Sequence, residues 1–480
     1  MRLAPFEVLS RDELYRLHLA SLEILEEVGV KIPLEEALKL CADAGADVDF
    51  KRQMVKMPQY LVEECIKKSP HKVTLYGRDA SLKLSLGEDK VYFGTVGFAP
   101  RIVDIKDGRY RPLNQGDLAN ATRVADALEN IDFQMVMGQP GDVPSEVVDV
   151  YQWLIAFENT RKHIMCQVLS KESAQVAIEM GSLIAGGEDE LRKSPIMAFV
   201  ICLNSPLFYG EFEVECLLEA AKFRLPALAE SGPMAGANSP VTLAGTVVLN
   251  NAEVLGGLVL TKLVDPRSPF IYGSWSRSID MRLGSVVLGG PEFALLRVCT
   301  AQLARFYNLP SGGGGLLCDS KIFDAQAGYE KMLTALMPAL SGLNLVSGMG
   351  LVASETVVSY EQLVVDDEVA GMVKRVLDGI DFRDETLAVD VIKDVGFEGN
   401  FLARRHTLQF AESEHWVPEI SDRRIPDIWI RDGAPKVYHK ARERALRILN
   451  EYRPPPLPKE ISMELRNMVK EMEKKVLQRK

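Results

Sequence analysis

The spacing of apolar residues changes character twice along the chain. Ser10 and Glu13 are spaced as a capping box, and Leu14, Leu17, Ile24, Leu25 and Val28 then recur on one helical face until Gly29, which predicts an N-terminal helix. Short helices punctuated by proline continue to about residue 90, so residues 1–90 read as a helical cap or brace. Short apolar runs then alternate with helix-length amphipathic stretches. The predicted strands are 91–96, 132–137, 163–167, 196–203, 226–230, 270–274, 309–313 and 342–347, and the stretch 90–113 resembles a strand pair turning at Asp107-Gly108. Eight such runs separated by helices suit a (β/α)8 barrel. The expected fold class is therefore α/β, a TIM barrel over residues 91–354 with N-terminal and C-terminal helical extensions. An open doubly wound sheet is the alternative, but no G-x-G-x-x-G opens a helix after the first strand.

Beyond residue 355 the pattern turns acidic and helical. "KARERALRILNEY" predicts a helix ended by "RPPPLP", and the final "ISMELRNMVKEMEKKVLQRK" predicts a solvated amphipathic helix. The longest uncharged run, 332–354, is long enough to span a membrane. Pro338, Asn344 and three glycines interrupt it, and a buried helix followed by a buried strand is expected instead.

Composition narrows the partners. A formal charge of -11 opposes non-specific binding to nucleic acid or anionic membranes, so neither is an expected partner. The seven cysteines are scattered without a C-x-x-C pair, which favours reduced thiols. The N-terminus "MRLAPFEVLSRDELYRL" lacks an apolar signal core, and a cytoplasmic location is expected.

Polar and small residues gather just after the fourth to eighth predicted strands, at the end where barrel enzymes build their sites. The run Gly312–Gly315 is not a Walker loop, because Lys321 stands six residues beyond Gly315. A barrel phosphate site there remains open. His163 and Cys166, three apart on a strand, face opposite ways and cannot share a metal, so no metal site is expected. His406 reaches a site only if the C-terminal extension folds back over the barrel mouth. No nucleophile triad and no acid–base dyad declares itself. A glycine-rich floor with Phe98, Tyr209, Tyr272 and Trp275 suits a cation without hydrogen-bond donors. Asp319 is expected to cap a helix or support the site.

"AGANSPVTLAGTVVLNNAEVLGGLVL", "YGSWSRSIDMRLGSVVLGGPE", "DSKIFDAQAGYEK" and "EGNFLARRHTL" together resemble the trimethylamine methyltransferase (MttB-like) family over nearly the whole chain. The resemblance implies a barrel enzyme that moves a methyl group from a methylated amine to the Co(I) corrinoid of a separate carrier protein. No tightly bound cofactor is then expected on this chain, and a homo-oligomer is. Family members acting on trimethylamine carry pyrrolysine, and this sequence has none, which points to quaternary amines such as glycine betaine. The resemblance also suggests that Gly312, Gly313 and Gly314 form a catalytic floor with Asp319, leaving room for a methylammonium head and the corrinoid face. Phe98, Tyr209, Tyr272, Trp275, Arg282 and His406 are then the expected substrate contacts, and Arg101, Arg277 and Arg282 the candidates to recognise a betaine carboxylate. A barrel that binds betaine or the carrier without catalysis is the alternative.

Overall fold

The computed structural model describes residues 4–478 apart from Glu398. Eight parallel strands close into a barrel: β1 (Tyr92–Thr95), β2 (Phe133–Met135), β3 (His163–Cys166), β4 (Met197–Leu203), β5 (Ala227–Ser231), β6 (Phe270–Ser274), β7 (Ser311–Gly314) and β8 (Leu345–Met349). Each overlaps its predicted run, with ends shifted by no more than three residues. The ladder is continuous: Leu228 pairs with Val200 and Ile271, Gly313 with Ser274 and Val346, and β8 returns to β1 at Val346 and Phe93. Strands β4 and β5 are buried almost throughout, as parallel strands covered on both faces should be.

The N-terminal helix α1 (Arg11–Glu23) starts at the expected capping box, Ser10 accepting from the Glu13 amide and Glu13 from the Ser10 amide at 2.8 Å. With the helix Gln59–Lys68 it packs on α2 (Leu243–Val264), which connects β5 to β6. Although α2 is apolar enough to cross a membrane, it is mostly buried here between the barrel and this N-terminal layer. That layer braces the barrel's flank. A hairpin of Val73–Tyr76 and Lys83–Leu86 lies at the N-terminal ends of the strands, where the Tyr76 N–H donates to the Pro195 carbonyl at 2.9 Å and His163 Nδ1 meets the Tyr76 carbonyl at 2.9 Å. The opposite end is thus the one available for chemistry.

Helix α3 (Pro291–Phe306) follows β6, and α4 (Ala325–Leu340) follows β7. The uncharged run 332–354 is accordingly the end of α4 and then β8, as its interruptions predict. Helix α5 (Tyr360–Asp378) follows β8 and packs on it and on α4, so the eighth helix of the barrel lies beyond residue 354. Two later helices fasten the C-terminal region. Helix α6 (Val437–Glu451) lies on α5, and α7 (Lys459–Leu477) lays Leu465, Val469 and Met472 against the barrel's outer helices. The last helix is therefore docked along one face, not wholly solvated, because its apolar stripe finds Val148–Asn159 to cover.

Candidate active site

Strand β7 is three glycines after a serine, a composition that loses backbone entropy in a strand, so packing must require it. A Cβ on Gly312 would lie 2.9 Å from Leu228 Cδ1. One on Gly313 would lie 2.9 Å from the Ser274 carbonyl and 3.2 Å from Arg297 Nη1, and one on Gly314 2.7 Å from the Phe293 ring and 3.0 Å from the Trp275 ring. The space that glycine leaves is filled by the protein itself. The expectation of an open floor at Gly312, Gly313 and Gly314 is corrected accordingly: these residues admit Leu228, Arg297 and Trp275. Arg297, fully buried on α3, donates to the Ser274 and Ser276 carbonyls and lies over the Phe293 ring, 4.7 Å from its centroid.

Above this layer a cavity of about 730 Å³ opens at the C-terminal ends of the strands. Every strand or its following loop contributes: Phe98 after β1, Met135 on β2, Gln167 after β3, Cys202 to Ser205 at the end of β4, Glu230 on β5, Trp275 and Arg277 after β6, Lys321 after β7, and Ser354 to Thr356 after β8. Burial raises the Glu230 carboxyl to about 7, against the pull of Arg297 and Arg277. Its Oε1 accepts from the Cys202 thiol at 3.7 Å, and its buried Oε2 has no hydrogen-bond partner among the described residues. Burial likewise raises Glu355 to about 8, opposed by Arg277 and by the Trp275 indole, which donates to its Oε2 at 3.2 Å. Arg277 donates to the Trp275 carbonyl at 3.2 Å and forms no ion pair among the described residues.

Glu355 is held over the cavity by strained backbone. Ala353, Ser354 and Glu355 are consecutive left-handed residues with φ of 55°, 51° and 71°, a conformation that costs about 1 kcal/mol or more for each non-glycine residue. Asp319 is the fastener. Its carboxylate accepts from the Leu288 and Gly289 amides at 2.9 and 3.0 Å and from Ser354 Oγ at 2.8 Å, joining the loops after β6, β7 and β8. Asp319 thus organises the mouth without lining the cavity.

Of the six expected substrate contacts, Phe98 and Trp275 line the cavity and the other four do not. Tyr209 is buried against α2 and donates to the Glu253 carbonyl, and Tyr272 points out of the barrel to Asn251 at 2.8 Å. Arg282 is exposed and grips Asp280 through two side-chain bonds of 3.2 and 2.8 Å. His406 stays in the C-terminal region, bonded to the Glu385 carbonyl at 3.0 Å. Two carboxyls that the sequence did not single out, Glu230 and Glu355, share the cavity. Glu230 carried a readable signal, an acid at the C-terminal end of a barrel strand.

The trimethylamine methyltransferase (MTTB) family pattern matches residues 1–476. The chain belongs to that family. Among this family's curated members, a trimethylamine methyltransferase from Desulfitobacterium hafniense strain DCB-2 is 39% identical over 97% of this chain and 93% of its own. A glycine betaine methyltransferase from strain Y51 of the same species is 35% identical over 99% and 98%, and a trimethylamine methyltransferase from Methanosarcina barkeri strain Fusaro is 33% identical over 96% and 94%. The barrel is also that of the solved Methanosarcina barkeri monomethylamine methyltransferase, at a TM-score of 0.54 and 14% identity over 93% of this chain and 88% of the other. The chain described here is a methyltransferase.

Proposed function

We propose that this methyltransferase takes a methyl group from a carboxylate-bearing quaternary amine of the glycine betaine type and passes it to the reduced corrinoid of a separate carrier protein. The observation that carries the reading is the composition of the cavity: an indole, a phenyl ring and two carboxyls beside a guanidinium with N–H groups to spare. A quaternary ammonium has no N–H to donate. Aromatic faces and carboxylates attract it without directed bonds, while Arg277 can clasp the carboxylate at the other end of a betaine. Trimethylamine offers no carboxylate to Arg277, and the sequence holds no pyrrolysine. The relatives' names alone do not separate the two substrates, because the more similar of the two Desulfitobacterium proteins is the one named for trimethylamine.

The corrinoid, when presented, supplies the nucleophile that accepts the methyl group. For their part the residues of this chain hold the N–CH3 bond in line with the mouth, exclude water from the ammonium, and let a neutral tertiary amine leave with the bonding electrons. No general acid is required for that departure, so the raised carboxyls act on the cation by charge. The rim suits a visiting protein. Met281 and Leu283 at the tip of the hairpin after β6, Val241 after β5 and Ile322 after β7 are exposed apolar side chains on loops whose other residues line the cavity. All seven cysteines are unpaired, which supports a reducing, cytoplasmic setting.

The test is methyl transfer to free cob(I)alamin, followed by absorbance, with glycine betaine and trimethylamine offered separately. Transfer from the betaine and not from trimethylamine is expected. Robust demethylation of trimethylamine by the purified chain overturns the substrate assignment.

A further inference from the structure

Helix α2 is apolar enough to cross a membrane, yet three polar residues lie buried along one of its faces. Thr246, Asn250 and Glu253 follow the i, i+4, i+7 spacing, and none is more than 4% exposed. A polar side chain taken out of water is unfavourable unless hydrogen bonds replace those it loses, so the partners of this stripe define its task. All of them lie at the C-terminal end of the barrel.

Glu253 accepts from Ser205 Oγ at 2.7 Å and from the Leu207 amide at 2.9 Å, in the loop after β4. Thr246 Oγ1 donates to the Pro240 carbonyl at 2.9 Å, in the loop after β5. Asn250, between them, ties the end of β5 to the loop after β6: its Oδ1 accepts from Ser231 Oγ at 3.1 Å and from Ser276 Oγ at 3.0 Å.

Ser276 stands between Trp275 and Arg277, two residues that line the cavity. A second helix holds the same place. Arg297 on α3 donates to the carbonyls of Ser274 and Ser276, so the backbone is gripped on each side of the indole. The Trp275 amide in turn donates to the Ser231 carbonyl at 2.8 Å, and Ser231 is the other serine that Asn250 holds. Neither Asn250 nor Arg297 lines the cavity. The next residue along α2 has a different task. Asn251 is also buried, but its amide donates to Ser21 Oγ at 2.9 Å and to the Tyr307 hydroxyl at 2.8 Å, fastening the N-terminal layer.

We propose that Asn250, together with Arg297 of α3, is a positioning residue of the methyl-transfer site: the pair fixes residues 274–276 so that Trp275 and Arg277 keep one relation to the methyl donor. The proposal rests on Trp275 and Arg277 being contacts of that donor. In-line transfer is sensitive to displacements of an ångström, so a loop held by two buried side chains on separate helices serves it better than one held by its own turn.

The experiment is 19F NMR of the full chain labelled with 5-fluorotryptophan, beside methyl transfer from glycine betaine to free cob(I)alamin. The chain has four tryptophans, and the Trp275 line is the one lost in Trp275→Phe. In Asn250→Leu that line should shift or broaden while the others stay, and kcat/KM should fall by about tenfold or more. Asn250→Asp keeps an accepting oxygen for both serines and should restore the line and most of the rate. Asn251→Leu should lower the melting temperature and leave the Trp275 line and kcat/KM as in the wild type. If Asn250→Leu does not fold, Ser276→Ala removes one of the same bonds and should displace the same line. An unmoved Trp275 line in the folded variant overturns the proposal, as does a moved line with unchanged kcat/KM, or an equal displacement in Asn251→Leu. A moved line in a chain that does not demethylate glycine betaine supports the positioning and sinks the substrate reading alone.

Discussion

A buried charged cluster between α4 and α5 is complete, whereas the half-buried one at the barrel mouth is not. Lys331 on α4 and Asp366 on α5 are at most 1% exposed and meet at 2.8 Å. Lys331 also donates to the Leu316 carbonyl, and Asp366 accepts from the Gly350 amide and the Gln362 side chain. At the mouth, by contrast, Glu230 has an unpartnered buried oxygen, Glu355 has a single indole donor on a strained loop, and Arg277 has no ion-pair partner among the described residues. The difference teaches that burial alone does not mark a site. A structural cluster satisfies itself, whereas a binding cluster is left short of partners that a ligand supplies.

The largest effect should break the finished cluster. Lys331→Met strands Asp366 without its cation and should destabilise the fold by about 3–5 kcal/mol in urea unfolding. The folded fraction should retain its substrate affinity. If the reverse holds, with affinity lost and stability kept, the two clusters have been assigned the wrong way round.

Arg277→Met should weaken glycine betaine binding by about 2 kcal/mol in calorimetry while leaving choline, which has no carboxylate, nearly unchanged. Equal losses for both ligands would remove Arg277 from carboxylate recognition.

Glu355→Gln should reduce kcat/KM by about 1–2 kcal/mol and leave stability equal or higher. The pH dependence sharpens this. A cation favours ionised carboxylates, so wild-type affinity for a quaternary ammonium should rise with pH as Glu230 near 7 and Glu355 near 8 lose their protons. Stability should move the other way. Their folded values lie above the usual carboxylate range, so this part of the stability is fully present below about pH 4.5 and is lost as pH rises through 7 and 8. In Glu355→Gln the upper part of both trends should flatten.

Trp275→Ala should lose about 1 kcal/mol of substrate affinity through the missing cation–π contact. It should also lower the melting temperature modestly, since the ring fills the notch at Gly314 and packs edge-on to Phe293. Arg282→Ala should change neither kinetics nor melting, because its partner Asp280 is its only hold.

Much of the barrel was legible because a strand buried on both faces must be a short apolar run, whichever neighbours cover it. Side-chain direction was less so. On β6 and beyond, Gly273 and Trp275 share the inward parity while Tyr272 faces α2, so adjacent aromatics with the same local signal divide between site and shell. His406 was misplaced for a different reason. Its helix is tied to α5 by contacts dozens of residues apart that no local spacing encodes.

The chain's own order of apolar runs, caps and glycines determined that eight strands and their helices would form and at which end the functional loops would gather. Local propensity and burial period act over a few residues, so they can be read there. Only the tertiary structure decided what filled the space beside Gly312 to Gly314, and that Glu230 and Glu355, far apart in sequence, would share one cavity. A missing side chain specifies a gap but not its occupant, and the charge state of a carboxyl depends on which groups the closed barrel brings beside it.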